Sequence, residues 1–240
     1  MRLDKFLADL NVGTRKEIKL LVKKGQVTVN GSVVRDPGMS VTGDEEIICS
    51  GELMAYEKNV YYMLNKPGGL ITATEDSREE TVLDLLPVRR RKDLFPVGRL
   101  DKDTRGLLLI TNDGQLAHRL LSPRHHVDKV YEAWIDGLVT PVDVDKFARG
   151  IELEDFTALP AKLEILQTFV SQEDKNKSYV RITIREGKFH QIKRMFEAEH
   201  KKVTSLKRIS MGPLKLDPRL EEGSFRPLTE EEISALRAVE

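Results

Sequence analysis

Apolar residues recur one helical turn apart at the start of the chain. Leu3, Phe6, Leu7 and Leu10 share one face of a helix whose other positions are mostly polar or charged. This spacing predicts a short amphipathic helix, which we expect to end near Asn11, shortly before a glycine.

A second helix is predicted to begin directly afterwards. Thr14 and Glu17 have the spacing of a capping box, in which each side chain satisfies a backbone N–H of the other residue. The apolar face continues to Val22, and Gly25 is placed to end the helix. The opposite face is cationic, with Arg15, Lys16, Lys19, Lys23 and Lys24. Composition alone does not decide whether this face is an ordinary solvated surface or an RNA-binding one.

Alternating apolar residues then predict two short strands joined by a tight turn. The segment QVTVNGSVV places Asn30 and Gly31 between the strands, and this pair adopts the positive φ angles that a hairpin turn needs. Another strand is predicted in EEIICS, where Cys49 is expected to be a core residue. Because Cys49 is the sole cysteine, it can form neither an internal disulfide nor a thiolate metal cluster.

The remainder of the chain has a mixed pattern of strands and helices. A polar connection at residues 52–59 leads into an apolar run that a Lys-Pro-Gly-Gly turn interrupts at residues 66–69. The pattern lacks a regular strand–helix–strand repeat, so we predict an α+β fold. The predicted strands are GLLLIT, KVYEAWI and YVRITI, and the predicted helices are QLAHRLL, HQIKRMFEAEH and a C-terminal helix with a capping box at Thr229 and Glu232.

The length of 240 residues allows a small module and a larger domain. We take two domains, residues 1–57 and 58–240, as the working hypothesis. No segment has the apolar length to span a bilayer, and MRLDKFLADL carries acids where a signal peptide needs an apolar run. We therefore expect a cytoplasmic protein.

Basic residues are concentrated locally, although the formal net charge is zero. Residues 1–35 contain eight basic and three acidic side chains, whereas residues 36–57 contain no basic and six acidic side chains. Residues 185–208 again contain eight basic and three acidic side chains, and residues 89–92 are all basic. Such patches are expected of a surface that binds RNA phosphates.

Several common chemistries lack their sequence motifs. There is no GxxxxGK[ST] phosphate loop, no GxGxxG, no GxSxG elbow and no HExxH. The five histidines do not have the spacing of metal ligands. We therefore expect neither a metal nor a cofactor.

A charged loop runs directly into an apolar strand in VGRLDKDTRGLLLITNDG. Asp101 and Asp103 lie there among Arg99, Lys102 and Arg105, whose positive charges favour an ionised carboxylate. Such a carboxylate suits a nucleophile or a base better than a general acid. On composition alone, a solvated turn with exchanging ion pairs remains the simpler interpretation.

The N-terminal order of elements resembles a known RNA-binding module. The segment RLDKFLADLNVGTRKEIKLLVKKGQVTVNGSVV closely resembles the S4 domain, in which two helices lie against structured RNA. The resemblance implies phosphate contacts from Arg2, Lys5, Arg15, Lys16, Lys19 and Lys23.

Four blocks of the second domain resemble the RsuA family of pseudouridine synthases. GRLDKDTRGLLLITNDG resembles the family's signature, LNKPGGLITA its first motif, KVYEAWI its tyrosine motif and REGKFHQIKRMF its basic closing motif. The resemblance implies a mixed, mainly antiparallel sheet with a central cleft. It also implies that Asp101 is the catalytic aspartate and that Tyr131 stacks on the target base, although a lone tyrosine in an apolar strand is otherwise usually a core residue.

Further site residues follow from the same resemblance. Lys193 is the expected basic partner of Asp101, with the neighbouring Arg194 as the alternative, and Arg99 is expected to touch RNA phosphate or help to displace the target base. The predicted RNA contacts of this domain are Lys66, Arg105, Arg124, His190 and Arg194.

The reaction implied by the family is an isomerisation of uridine. The uracil detaches from ribose C1′, turns while still held, and reattaches through C5, by a covalent or a glycal course. SPRHHVDKVY resembles the branch that modifies small-subunit (16S) rRNA, which implies a uridine-516-type site. The alternatives are large-subunit rRNA or tRNA as substrate, and a non-catalytic RNA-binding ribosome-assembly factor. The expected partner is structured rRNA or a small-subunit assembly intermediate, bound by a monomer without a membrane or a metal.

Overall fold

The chain forms two compact units. The computed structural model describes residues 1–54, 59–86, 93–170 and 176–239. One unit comprises Met1–Val60 with Leu86–Leu94, and the other comprises Tyr61–Leu85 with Phe95–Glu240. The boundary predicted between residues 57 and 58 and the basic cluster at residues 89–92 lie outside the described residues.

The first unit begins with the two predicted helices, α1 (Leu3–Asp9) and α2 (Arg15–Lys23). Asn11 has a φ of 56° after α1, and Gly25 has a φ of 75° after α2, which agrees with the predicted helix ends. The capping box of α2 is present, because the Thr14 N–H donates to Glu17 Oε2 at 2.7 Å and the Glu17 N–H donates to Thr14 Oγ1 at 3.3 Å.

Four short antiparallel strands complete the described part of this unit. They are β1 (Val27–Val29), β2 (Ser32–Val33), β3 (Ile47–Cys49) and β4 (Glu52–Leu53), in the sheet order β2-β1-β3-β4. Asn30 and Gly31 have φ angles of 50° and 76°, which confirms the predicted hairpin turn. Cys49 is buried in the same core as Phe6 and Ile18, as predicted.

The second unit contains nine strands and four α-helices among the described residues. The strands are β5 (Tyr61–Lys66), β6 (Phe95–Pro96), β7 (Arg105–Thr111), β8 (Lys129–Asp136), β9 (Lys162–Phe169), β10 (Lys177–Ile184), β11 (Lys202–Met211), β12 (Leu214–Lys215) and β13 (Phe225–Pro227). The helices are α3 (Gly114–Leu121), α4 (Pro141–Arg149), α5 (Gln191–Ala198) and α6 (Glu230–Arg237), with a short 3₁₀ turn at Pro123–His125.

These strands form one mixed sheet, as the family resemblance implied. Its order is β13-β5-β7-β11-β8-β10-β9, with β12 beside β11 and β6 beside β7. Among the described strands the pairing is antiparallel except between β7 and β11. Strands β7, β8 and β10 and helices α3, α5 and α6 were predicted, whereas β9, β11 and α4 were not.

The parallel pair fixes the strand that follows the Asp101 loop. At Gly106 the strands approach closely, since a Cβ there would lie 2.2 Å from the Arg208 carbonyl oxygen, and its φ of 97° also favours glycine. The buried Arg208 side chain donates from Nε to the Leu107 carbonyl at 2.8 Å. Strand β7 is therefore held firmly in the middle of the sheet.

Helices α3 and α6 cover one face of β5 and β7. Met63 and Leu107 from these strands share a buried cluster with Leu116 and Leu236 from the two helices. The capping box of α6 is present as predicted, with the Glu232 N–H donating to Thr229 Oγ1 at 3.2 Å. No helix among the described residues is long and apolar enough to cross a membrane.

Candidate active site

A buried lysine holds the loop that carries Asp101. The Lys66 Nζ donates to the carbonyl oxygens of Pro67 at 3.0 Å, Asp101 at 3.2 Å, Lys102 at 3.1 Å and Thr104 at 2.9 Å. An ammonium group has three protons, so these four acceptors surround and share them. The loop is thereby tied to the end of β5.

The prediction that Lys66 contacts RNA is therefore wrong. Its side chain is fully buried, and its nitrogen is surrounded by backbone carbonyls instead of facing solvent. Burial lowers the pKa of Lys66 to about 8, against the opposing effect of the Asp103 and Asp101 carboxylates. The ammonium form still predominates at neutral pH and supports the loop.

Two residues of the segment LNKPGGLITA, Gly69 and Thr72, form further hydrogen bonds with the same loop. The Thr72 hydroxyl donates to the Leu100 carbonyl at 2.7 Å, and the Leu100 N–H donates back to Thr72 Oγ1 at 3.2 Å. The Gly69 N–H donates to the Lys102 carbonyl at 2.8 Å. The segment that resembles the family's first motif thus positions the aspartate loop.

Lys193 bridges the two carboxylates of the loop. Its Nζ lies 3.2 Å from Asp101 Oδ2 and 2.6 Å from Asp103 Oδ1. Burial acts to lower the pKa of Lys193, but its hydrogen bonds to Asp103 and Asp101 outweigh this and raise the pKa. Burial acts to raise the pKa of Asp103, but the hydrogen bond from Lys193 outweighs it and the pKa is lowered. Lys193 is therefore a fixed positive charge beside Asp101.

The predicted alternative partner, Arg194, points elsewhere. Its guanidinium pairs with Asp155, so the structure brings Lys193 and not Arg194 to Asp101. Lys193 and Arg194 are adjacent on α5, and consecutive helical residues face different directions. The i, i+3 and i+4 positions Ile192, Met195 and Phe196 are buried, as predicted for the core face of this helix.

A pocket brings Asp101, Lys193, Tyr131 and Arg99 together. Tyr131 lies on β8 and is buried, and its neighbours across the sheet are Ile182 on β10 and Arg208 on β11. The apolar part of the lining comes from Leu100, Ile184, Ile192 and Leu206. An aromatic ring beside aliphatic side chains and a carboxylate can hold a flat, partly polar base.

Arg99 and His190 lie at this pocket with different surroundings. Arg99 is exposed, and its guanidinium has no hydrogen-bond or ion-pair partner within the described ranges. The His190 Nε2 lies 3.6 Å from Asp101 Oδ1, and the residue directly precedes α5 with a φ of 49°. The structure thus places His190, predicted as an RNA contact, next to the candidate catalytic carboxylate.

The other predicted RNA contacts of this unit are outside the pocket. Arg105 is half-exposed and pairs with Glu222 at 3.5 Å. Arg124 is exposed on the 3₁₀ turn. Both remain available to a ligand at the surface, and their roles stay predictions.

The predicted cationic face of α2 is exposed in the first unit. The ammonium groups of Lys16, Lys19 and Lys23 have no hydrogen-bond or ion-pair partner among the residues that the structure describes. Lys5 and Arg15 are also exposed. By contrast, Arg2 donates to both carboxylate oxygens of Asp4, at 3.0 and 2.9 Å.

A wider cleft adjoins the pocket and contains two residues that were not predicted. This cleft has a volume of about 850 Å³ and shares Arg99, Asp101 and His190 with the pocket. Lys129 and Phe189 also line it. The alternation of KVYEAWI could have revealed Lys129, since it falls on the same strand face as Tyr131; an aromatic residue within the polar segment REGKFHQ could have drawn attention to Phe189.

The arrangement can perform chemistry with a carboxylate and a fixed cation. Asp101 can act as a nucleophile or a base towards a group in the pocket, and Lys193 can balance its charge. No cluster of three His, Cys, Asp or Glu side chains suitable for a metal occurs in the described parts of the chain.

Two family models match the sequence. Residues 60–198 match the model described as RNA pseudouridylate synthase, and residues 1–47 match the S4 domain. The first match contains Asp101, Tyr131 and Lys193, and the second contains α1, α2 and the cationic face of α2.

Proteins of similar length also match along nearly the whole chain. The uncharacterized RNA pseudouridine synthase YtzG of Bacillus subtilis is 46% identical, with 98% of each chain covered. The ribosomal small subunit pseudouridine synthase A of Vibrio cholerae is 41% identical, covering 98% of this chain and 99% of the relative. The ribosomal large subunit pseudouridine synthase B of Bacillus subtilis is 39% identical, and the match covers 99% of this chain and 96% of the relative.

A solved structure agrees with the fold. The crystal structure of a pseudouridylate synthase is 39% identical in sequence and superposes with a TM-score of 0.66, covering 98% of this chain and 99% of the other.

Proposed function

The chain belongs to the RNA pseudouridylate synthase family, of the RsuA type, and from this premise we propose that it converts one uridine of 16S rRNA, at a uridine-516-type site, to pseudouridine with Asp101 as the nucleophile. The observation that carries the proposal is the ion pair of Asp101 with Lys193 in a pocket that also contains Tyr131. The loop bearing Asp101 is held by Lys66, so the carboxylate is positioned before substrate binds.

The reaction needs no atoms from outside the substrate. The bond between uracil N1 and ribose C1′ breaks, and a bond between C5 and C1′ forms; C5 loses a proton and N1 gains one. In the covalent course, an Asp101 oxygen attacks C1′ as the uracil leaves, and it departs when C5 reattaches. In the glycal course, a ribose proton is removed and later returned. Both courses use the Asp101 carboxylate close to the ribose.

The neighbouring residues suit the steps around bond cleavage. A base in structured RNA must be extruded before a carboxylate can reach its glycosidic bond. Tyr131 offers a ring on which the detached uracil can stack while it turns. The Lys193 ammonium balances the carboxylate charge, and the exposed Arg99 can contact a phosphate or help to displace the target base.

Two observations favour small-subunit rRNA as the substrate. The segment SPRHHVDKVY resembles the small-subunit branch, and the Vibrio cholerae relative is named for the small subunit. The relative named for the large subunit is nearly as similar, which makes large-subunit rRNA the second candidate. We place the enzyme in the cytoplasm as a monomer that acts on rRNA or on a small-subunit assembly intermediate.

The proposal is tested by mapping pseudouridines in rRNA from cells with and without this gene. Carbodiimide modification followed by primer extension locates each pseudouridine. We expect one small-subunit site to disappear with the gene, to return with the wild-type chain, and to stay absent with Asp101→Asn. Loss of a site in the large subunit or in tRNA instead would refute the 16S assignment while retaining the reaction.

Asp103→Asn is the matched control for Asp101→Asn. Both carboxylates contact Lys193, but Asp103 is 73% exposed and lies two residues further along the loop. We expect Asp103→Asn to restore the site and Asp101→Asn to fold and bind 16S rRNA like the wild type. Turnover by purified Asp101→Asn would exclude Asp101 as the nucleophile.

A further inference from the structure

Phe189 is a large apolar residue whose side chain is mostly exposed to solvent and contributes little to the hydrophobic core. Its side chain is 73% exposed, the highest value among the large hydrophobic residues that the structure describes. A single exposed apolar residue is common on protein surfaces, so exposure alone has no functional meaning. Its surroundings and its ring orientation supply the further evidence.

The ring of Phe189 is stacked on His190 beside the active site. The ring centroids lie 3.8 Å apart with an interplanar angle of 16°. His190 has a left-handed backbone conformation, which is uncommon for residues other than glycine, and its Nε2 lies 3.6 Å from Asp101. The His190 ring therefore covers one face of the Phe189 ring, and the exposed Phe189 ring offers its outer face as a flat aromatic surface near the candidate nucleophile.

The cleft lined by Phe189 also contains a buried lysine that forms no ion pair with the described residues. Lys129 is 94% buried, since its exposed fraction is 6%, and its Nζ donates to the Val127 carbonyl at 3.0 Å. Among the described residues no carboxylate lies within ion-pair distance of it. Burial lowers the pKa of Lys129, the nearby Arg208 charge lowers it further, and Asp128 opposes both only from beyond ion-pair distance. Burial of an ammonium that lacks an ion pair is unfavourable, and the phosphate of a bound RNA strand would offset that cost. An aromatic surface and a cation together suit a nucleotide.

We propose that this cleft is a second nucleotide subsite, in which Phe189 stacks on the base next to the target uridine. The inference rests on the proposed function, because extrusion of the target base leaves its neighbour without a stacking partner. An exposed aromatic side chain can replace that partner without reading the base sequence. Phe189 is thus a substrate-positioning contact that keeps the strand open beside Asp101.

Substitution of the ring tests the proposal on a 16S rRNA transcript. We expect Phe189→Leu to reduce kcat/KM by about tenfold, as for loss of one base-stacking contact, whereas Phe189→Tyr retains wild-type activity. The thermal midpoint should not change, because the ring is mostly exposed. Phe169→Leu is the matched control, since Phe169 is 41% exposed on β9 and does not line the cleft. Wild-type kcat/KM for Phe189→Leu, or equal losses for Leu and Tyr, would overturn the proposal.

Removal of the neighbouring base identifies the contact. An abasic nucleotide is placed on the 5′ or the 3′ side of the mapped uridine in the same RNA. At one of these positions the abasic nucleotide should lower the kcat/KM of the wild type by about tenfold, and it should cause no further loss in Phe189→Leu. If the losses from the abasic nucleotide and from Phe189→Leu multiply at both positions, Phe189 stacks on neither base and the proposal is refuted. Wild-type turnover in this assay tests the proposed function separately, so the two failures are distinguishable.

Discussion

The basic residues of the two units have very different surroundings. On α2, the ammonium groups of Lys16, Lys19 and Lys23 are exposed and have no partner among the described residues. In the second unit, Lys66 is buried against four carbonyl oxygens, and Lys193 is fixed between two carboxylates. The exposed ammonium groups are free to move in water, whereas those of Lys66 and Lys193 are held in fixed positions by their partners.

This difference separates two uses of positive charge. An exposed cation acts on RNA through counterion release, so its effect depends strongly on salt and little on its exact position. A held cation acts through the groups that it orients, so its loss should affect turnover more than affinity. The comparison therefore predicts which variants change rate and which change binding.

The largest effect is expected for Lys66→Met, which keeps the length of the side chain but removes its donors. The carbonyls of Pro67, Asp101, Lys102 and Thr104 would lose their shared partner. Leaving a buried carbonyl oxygen without its donor typically costs about 1–3 kcal/mol of unfolding free energy. A shift of about 1 Å in the loop would reduce turnover by about 100-fold. Thermal unfolding and single-turnover rates on 16S rRNA measure the two effects.

Lys102→Met is the control for this variant. Lys102 lies on the same loop, but its side chain is exposed and pairs with Glu79, an arrangement that contributes about 0–1 kcal/mol to stability. We expect nearly wild-type stability and turnover. If Lys66→Met behaves in the same way, the buried ammonium does not position Asp101 and the distinction between held and exposed cations fails for it.

Locally determined features of the fold were predictable from sequence. The capping boxes at Thr14 and Thr229 and the turn at Asn30 depend on residues within four positions of one another. Strand β11 was missed because its sequence KVTSLKRISM mixes polar and apolar residues without clear alternation. It becomes a central strand only because β7 and β8, which lie far from it in sequence, pair with it.

Three residues of the pocket could be predicted from sequence, but neither the distances between them nor the position of Lys66 could. Resemblance nominated Asp101, Tyr131 and Lys193, and the fold brings all three to one pocket. Lys66 was misassigned because a lysine beside a Pro-Gly-Gly turn suggests a surface residue. Its burial arises from a loop about 35 residues away, which no local pattern of the sequence reports.

A similar loss of turnover, but a smaller effect on stability, is expected for Lys193→Met. The variant leaves the partly buried Asp101 carboxylate without its cation, and we expect turnover to fall by about 100-fold with little change in global stability. Lys193→Arg should recover part of the rate, since it restores the charge with a different geometry. Single-turnover rates at saturating 16S rRNA measure the effect. If Asp103→Asn lowers the rate as much, the bridge to Asp103, and not the pair with Asp101, is the functional contact.

The smallest effect on turnover is expected for the triple variant Lys16→Ala, Lys19→Ala and Lys23→Ala. If each ammonium neutralises a phosphate, the slope of log K against log salt should become shallower by about 2 units. Affinity for 16S rRNA should fall most at low salt, while the rate at saturating RNA stays at the wild-type value. Binding titrations at several salt concentrations measure the slope.

A control that removes exposed lysines from the second unit shows whether the effect belongs to α2. Lys177 and Lys202 are exposed, and both pair across the sheet with the backbone of Asp136, at the end of β8 opposite to Lys129. Lys177→Ala with Lys202→Ala should change the slope little per charge removed. Equal changes of slope per charge removed in the two variants would mean that the α2 lysines contribute only to the general charge of the protein. A larger change of slope per charge for the α2 variant would mean that the α2 cations lie on the RNA.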